Sequence, residues 1–138
     1  MKIKEIMTTD VETCMPESTL QEVALKMREI NVGSIPICED GRLVGIVTDR
    51  DIVVRGLAEQ IPSEAPISEI LSAEVVTGTV DLTVEEAAEM MATHKIRRLP
   101  IVTGEQVIGI VSLGDLAIRD VSANHYAENT IIEISEVE

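Results

Sequence analysis

Two stretches of the chain share one pattern. Gly45-Ile46-Val47-Thr48-Asp49-Arg50-Asp51 and Gly109-Ile110-Val111-Ser112-Leu113-Gly114-Asp115 each run glycine, two aliphatics, a hydroxyl and, three residues on, an aspartate. A hydroxyl residue that ends a strand and opens a helix sits beside free backbone N–H groups, where an anion is favoured. Thr48 or Ser112 adds a hydroxyl donor for a phosphate. Asp51 or Asp115, one turn on, can accept from both hydroxyls of a ribose. The glycines either leave room for close approach or relieve the hairpin. The same spacing is also a capping signature, and capping alone would explain it.

Capping does not explain His94-Lys95-Ile96-Arg97-Arg98, four basic side chains ahead of the second motif. The corresponding stretch of the first half, Ile30-Asn31-Val32-Gly33-Ser34, carries no charge. Arg97 and Arg98 either serve a phosphate or pair with surface acids. The thiols of Cys14 and Cys38 become neighbours if their strands pair in parallel, which opens a redox-labile disulfide. Otherwise they are small buried hydrophobes. His94 and His125 have no metal-ligand spacing, so no metal site is expected. A nucleophile elbow, a Walker loop, HExxH and CxxC are all missing, which points away from an enzyme.

These residues are positioned by a repeat. A gapless shift of 64 residues superposes Ile6, Val11, Thr13, Thr19, Glu22, Pro36, Gly45 and Asp51 on Ile70, Val75, Thr77, Thr83, Glu86, Pro100, Gly109 and Asp115. Each copy reads β-α-β-β-α. The first has a short extended piece at 11–14 and a helix opened by the Thr19-x-x-Glu22 capping box and ended at Asn31-Val32-Gly33. A hairpin follows, with strands at 34–38 and 43–48 around a Gly41 turn, then a helix at 49–57. The second has its counterparts at 75–77, 83–95, 98–102, 107–112 and 113–121. Pro36 points to an edge or a bulge. The expected fold is α+β, with two β-α-β-β-α units packed sheet to sheet about a pseudo-two-fold axis, since each leaves an open apolar face. The expected division is 1–58 for the first repeat, 59–68 for a linker, 69–122 for the second repeat and 123–138 for an acidic tail. In that tail Thr130-Ile131-Ile132-Glu133-Ile134 either adds a strand or makes an apolar contact, or is disordered.

The chain has 138 residues, a formal charge of −14, one Tyr and no Phe or Trp. Such a surface repels nucleic-acid phosphate and anionic lipid, and it lacks stacking platforms. No window approaches a membrane span or a signal peptide, so a cytoplasmic protein is expected. Local arginines can still hold an anion, because exposed charges are screened beyond about 8 Å at physiological salt.

At Gly45–Asp51 and Gly109–Asp115, with Ile35-Pro36-Ile37 and Leu99-Pro100-Ile101 upstream, the chain resembles the CBS-domain family, as a tandem pair covering about 120 of its 138 residues. The resemblance implies a non-enzymatic regulatory sensor with an adenine nucleotide or related adenosyl ligand in the cleft between repeats. No cofactor is required. The implied ligand-binding residues are Thr48, Asp51, Arg97, Arg98, Ile110, Ser112 and Asp115. The resemblance further implies a homodimer through the helices, which the apolar Ile52-Val53-Val54 and Leu116-Ala117-Ile118 runs support, and an unknown protein partner as readout. The alternatives are a ligand-free dimeric interaction module and a thiol switch at Cys14 and Cys38.

Overall fold

Thr19 and Thr83 open the two long helices in the same way. Thr19 Oγ1 accepts the Glu22 N–H at 3.0 Å, and Glu22 Oε1 accepts the Thr19 N–H at 2.9 Å. Thr83 and Glu86 repeat the exchange at 3.1 and 2.9 Å. Each box satisfies two of the free N–H groups of a helix start. The helices α1 (Leu20–Ile30) and α3 (Val84–His94) follow. Both end on a left-handed residue, Asn31 at φ 55° and Lys95 at φ 56°. Asn tolerates that conformation, whereas Lys95 holds it without a side chain suited to it.

The computed structural model describes residues 1–72 and 75–119. The expectations for the 123–138 tail, including Thr130–Ile134, lie outside them. The fold is α+β, built of two β-α-β-β-α repeats. In the first, β1 (Ser34–Glu39) and β2 (Arg42–Thr48) pair antiparallel around Asp40 and Gly41, both at positive φ. A positive φ at both central residues is what a two-residue hairpin turn demands. In the second, β3 (Arg98–Thr103) pairs with β4 (Gln106–Ser112). Both hairpins break register at the same place, between Ile37 and Cys38 and between Ile101 and Val102. Pro36 and Pro100 lie one residue before these bulges. Their carbonyls accept the N–H groups of Cys14 (3.1 Å) and Gly78 (2.9 Å), and those bridges ask no N–H of the prolines.

Of the extended piece expected at 11–14 a single parallel bridge remains, Cys14 to Ile37; in the second repeat the matching bridge, Gly78 to Ile101, falls one residue past the expected 75–77. The second helix of the first repeat starts as α2 (Asp49–Asp51) and continues as a π-helix over Ile52–Leu57. Its counterpart α4 (Leu113–Arg119) is α-helical.

The compact units do not follow the repeat order. Among the described residues, one lies within Glu12–Val75 and the other joins Met1–Val11 to the residues from Val76 on. Ile67 and Ile70, on a 3-10 turn inside the stretch read as linker and repeat start, are core residues with Val23, Ile35, Ile37 and Val47. Ile3 and Ile6, at the head of the chain, are core residues with Val84, Met91, Leu99, Ile101 and Leu116. The segment ahead of each repeat thus completes the core of the other repeat's unit. A helix and a hairpin alone leave an apolar face open, and these isoleucines close it.

Candidate functional site

Each motif hydroxyl terminates the second strand of its hairpin and caps the helix that follows. Thr48 Oγ1 accepts the Asp51 N–H at 3.0 Å, and Asp51 Oδ2 accepts the Thr48 N–H at 2.9 Å. Ser112 Oγ accepts the Asp115 N–H at 3.2 Å, and Asp115 Oδ2 accepts the Ser112 N–H at 3.0 Å. The capping reading is therefore real in both repeats. It uses the hydroxyl oxygens as acceptors and one oxygen of each carboxylate. It leaves both hydroxyl hydrogens and both Oδ1 atoms without a hydrogen-bond partner among the described residues. All four side chains are half-buried.

The structure separates the two arginines. Arg98 opens β3 directly opposite Ser112 on β4, so the two side chains share a face. Its Nε is buried and has no hydrogen-bond partner. Burial pushes its pKa down, and the Asp115 carboxylate acts against that shift. Arg97 is exposed, and its carbonyl accepts the Leu113 N–H at 3.1 Å. In the first repeat the same positions are Gly33, whose carbonyl accepts the Asp49 N–H at 2.9 Å, and Ser34, opposite Thr48. Arg98, Ser112 and Asp115 thus gather in one repeat, and the other has no arginine at that place.

Ile110 is only 2% exposed. Its N–H and carbonyl both bond to Thr8 at 2.9 Å, so it has little left to offer a ligand. Ser72 makes the matching bridge to Ile46. These crossing segments explain the motif glycines. A Cβ on Gly109 would stand 2.5 Å from Met7 Sδ and 3.2 Å from the Thr8 carbonyl oxygen. A Cβ on Gly45 would stand 2.6 Å from Leu71 Cγ. The glycines admit these segments; the sequence reading allowed for close approach there, but not for which segment makes it. The available signal was the repeat itself, which aligns Met7 with Leu71 and Thr8 with Ser72 ahead of the motifs.

Cys14 and Cys38 are free, and burial raises both thiol pKa values. The parallel bridge sets Cys14 beside Ile37, and the Cys38 N–H donates to the Cys14 carbonyl at 2.8 Å. The backbones are neighbours, as parallel pairing implied. Side chains alternate along a strand, however, so Cys14 shares the face of Ile37 and Cys38 points to the other. A disulfide would need the backbone to move, which argues against the thiol switch.

The family model for the CBS domain matches the chain twice, at residues 3–57 and 67–121. The chain belongs to the CBS-domain family. The first match starts at Ile3 and the second at Ile67, the two crossing segments. The CBS domain-containing protein YhcV of Bacillus subtilis is 45% identical over 133 residues, covering 96% of this chain and 94% of that protein. The structure described as Hypoxic Response Protein I with two coordinated zinc ions matches with a TM-score of 0.80 and 32% identity, over 87% of this chain and 99% of that one. The structure of CBSX2 in complex with AMP matches with a TM-score of 0.73 over 83% of this chain and 91% of that one, and at 22% identity it speaks for the fold alone. Both repeats of the present chain are thus CBS motifs.

Proposed function

We propose that this CBS pair is a non-enzymatic regulatory sensor for an adenine nucleotide or related adenosyl ligand. The observation that carries the reading is the buried, unpartnered Nε of Arg98, on the same face as Ser112 and near Asp115. A buried donor without a partner costs stability, and a missing ligand is one standard reason for it. Arg98 would donate to a phosphate, with the Ser112 hydroxyl as second donor. Asp115 Oδ1 would accept from ribose hydroxyls. Thr48 and Asp51 offer the same hydroxyl and carboxylate in the first repeat. Equilibrium dialysis with labelled AMP tests the reading. Binding by the wild type that falls at least ten-fold in Asp115→Ala supports the sensor, whereas absence of binding by AMP, ADP, ATP and S-adenosylmethionine alike leaves the ligand-free interaction module.

The readout is a homodimer, alone or with a protein partner. The π-helical segment leaves Val53 at 55%, Val54 at 45% and Leu57 at 74% exposure, apolar surface in a strongly charged chain. Light scattering of Val53→Lys/Leu57→Lys is expected to give a monomer where the wild type gives a dimer.

A second reading is zinc, favoured by the similarity to Hypoxic Response Protein I and its two coordinated zinc ions. The thiol and imidazole side chains of this chain are Cys14, Cys38, His94 and His125, the last outside the described residues. Among the described residues no group of three or more His, Cys, Asp or Glu is placed to hold a metal ion. Elemental analysis of protein purified without chelator decides: stoichiometric zinc supports this reading and no zinc removes it.

A further inference from the structure

The thioether sulfurs of the chain belong to Met1, Met7, Met15, Met27, Met90 and Met91. Met27 and Met91 are counterparts across the repeat, and both are buried. Met1 and Met15 are exposed, while Met7 and Met90 are half-buried. The repeat shows what a position tolerates. Met15 aligns with Thr79, and Met90 aligns with Lys26, whose ammonium pairs with Glu12 at 3.0 Å. A polar group is at home in both places. Met7 instead aligns with Leu71, and each packs on the motif glycine of its own unit. Met7 is thus the one methionine within reach of solvent at a position that demands an apolar side chain.

We infer that Met7 is a redox-sensitive latch: hydrogen peroxide converts its thioether to a sulfoxide, which lifts the Ile3–Met7 segment off β4. The sulfur lone pair attacks a peroxide oxygen, the O–O bond breaks, an S–O bond forms and water leaves. Sulfur is oxidised and the peroxide is reduced. The product does not suit the site. Gly109 is buried, and a Cβ on it would stand 2.5 Å from Met7 Sδ and 3.2 Å from the Thr8 carbonyl oxygen. The sulfur therefore fills the place that a side chain would take. Met7 also packs against the core that holds Ile3, Ile6, Val84 and Met91. A sulfoxide oxygen needs a donor, and a polar group buried without one is costly. The Met7 N–H is already spent on the Ile3 carbonyl at 2.8 Å, and the Thr8 N–H on the Ile110 carbonyl at 2.9 Å. The oxidised side chain gains its hydrogen bonds by turning to water, and Thr8 follows it. Both Thr8–Ile110 bonds are then lost, two residues before Ser112. In the first repeat Leu71 does the same work against Gly45 and has no sulfur to oxidise, so only one unit responds.

The folded full chain is treated with hydrogen peroxide, mapped by tandem mass spectrometry and melted. Met1, Met7 and Met15 are expected to gain one oxygen each and Met27 and Met91 none, with a fall in melting temperature of at least about 3 °C. Met7→Leu, which installs the residue of the other repeat, should keep its melting temperature under the same treatment. Met7→Gln should melt low without peroxide, and Met15→Leu/Met90→Leu should fall as the wild type does. Hydrogen exchange at the Ile110 amide should quicken in the oxidised wild type and slow again after methionine sulfoxide reductases and a dithiol. A folded wild type whose Met7 takes up no oxygen overturns the inference. So does an equal fall in Met7→Leu, a fall abolished in Met15→Leu/Met90→Leu, or an oxidised Met7 with unchanged exchange at Ile110.

Discussion

Ser112 Oγ accepts the Asp115 N–H, and its own hydrogen is still free to donate. The same double use is open to Thr48 and to both aspartates. Capping and ligand binding are thus compatible in one residue, and they separate by measurement. Ser112→Ala removes a cap and is expected to cost about 1 kcal/mol in urea denaturation, with or without a ligand present. If nucleotide is also held there, the variant loses the extra stability that the ligand gives the wild type. The cysteines make a simpler case. Burial keeps both thiols protonated near neutral pH, and they face opposite sides of their strand pair. A thiol titration of the unfolded protein after mild oxidant is therefore expected to count both as free, and loss of the pair would contradict the register. At this scale charge makes Arg98 stand out in the sequence, whereas the burial of Ile110 and its backbone bonds to Thr8 have no such local signal, because an aliphatic residue in a motif looks the same whether it lines a site or a core.

Glu22 and Glu86 hold their helix starts together, and hydrogen bonds from the N-caps lower both carboxyl pKa values from 4.5. A carboxylate with a depressed folded pKa stabilises the fold above its unfolded value, and that contribution is lost as pH falls through the folded one. This contribution is therefore expected to fade as pH falls below 4.5, and Glu22→Gln/Glu86→Gln should flatten this part of the stability profile. The crossing segments carry a second expectation. Gly109→Val would drive a side chain into Met7 and the Thr8 carbonyl, and overpacking of this kind costs about 1–3 kcal/mol. Gly45→Val should behave alike against Leu71, with thermal unfolding as the readout. The helices and hairpins were legible because capping boxes, turn glycines and alternation are local signals. The crossing of Ile3–Met7 and Ile67–Leu71 into the other repeat's unit was not, since periodicity says that a residue is buried and never against which partner. The π-helical turn at Ile52–Leu57 had no local signal either.

On the scale of the whole chain, the repeat makes the family legible in the sequence, because two matching motifs at fixed spacing are far more specific than one. The formal charge of −14 weighs against nucleic acid and anionic lipid, and no helix among the described residues is long and apolar enough to cross a membrane. Against that background a buried arginine with an idle donor is the strongest pointer to an anion. The inequality of the repeats follows from the same sequence, but only the strand register turned Arg98 against Ser34 into a structural contrast.

The measurement closest to the central claim is a thermal-shift titration of the wild type and Arg98→Met with AMP, ADP, ATP and S-adenosylmethionine. A ligand that binds only the folded state must raise the melting temperature, by about 2.7 kcal/mol of stability at a hundred times its dissociation constant. The account predicts a clear rise with at least one phosphorylated nucleotide and its loss in Arg98→Met. No rise with any of the four at millimolar concentration, or an equal rise in the variant, would contradict it.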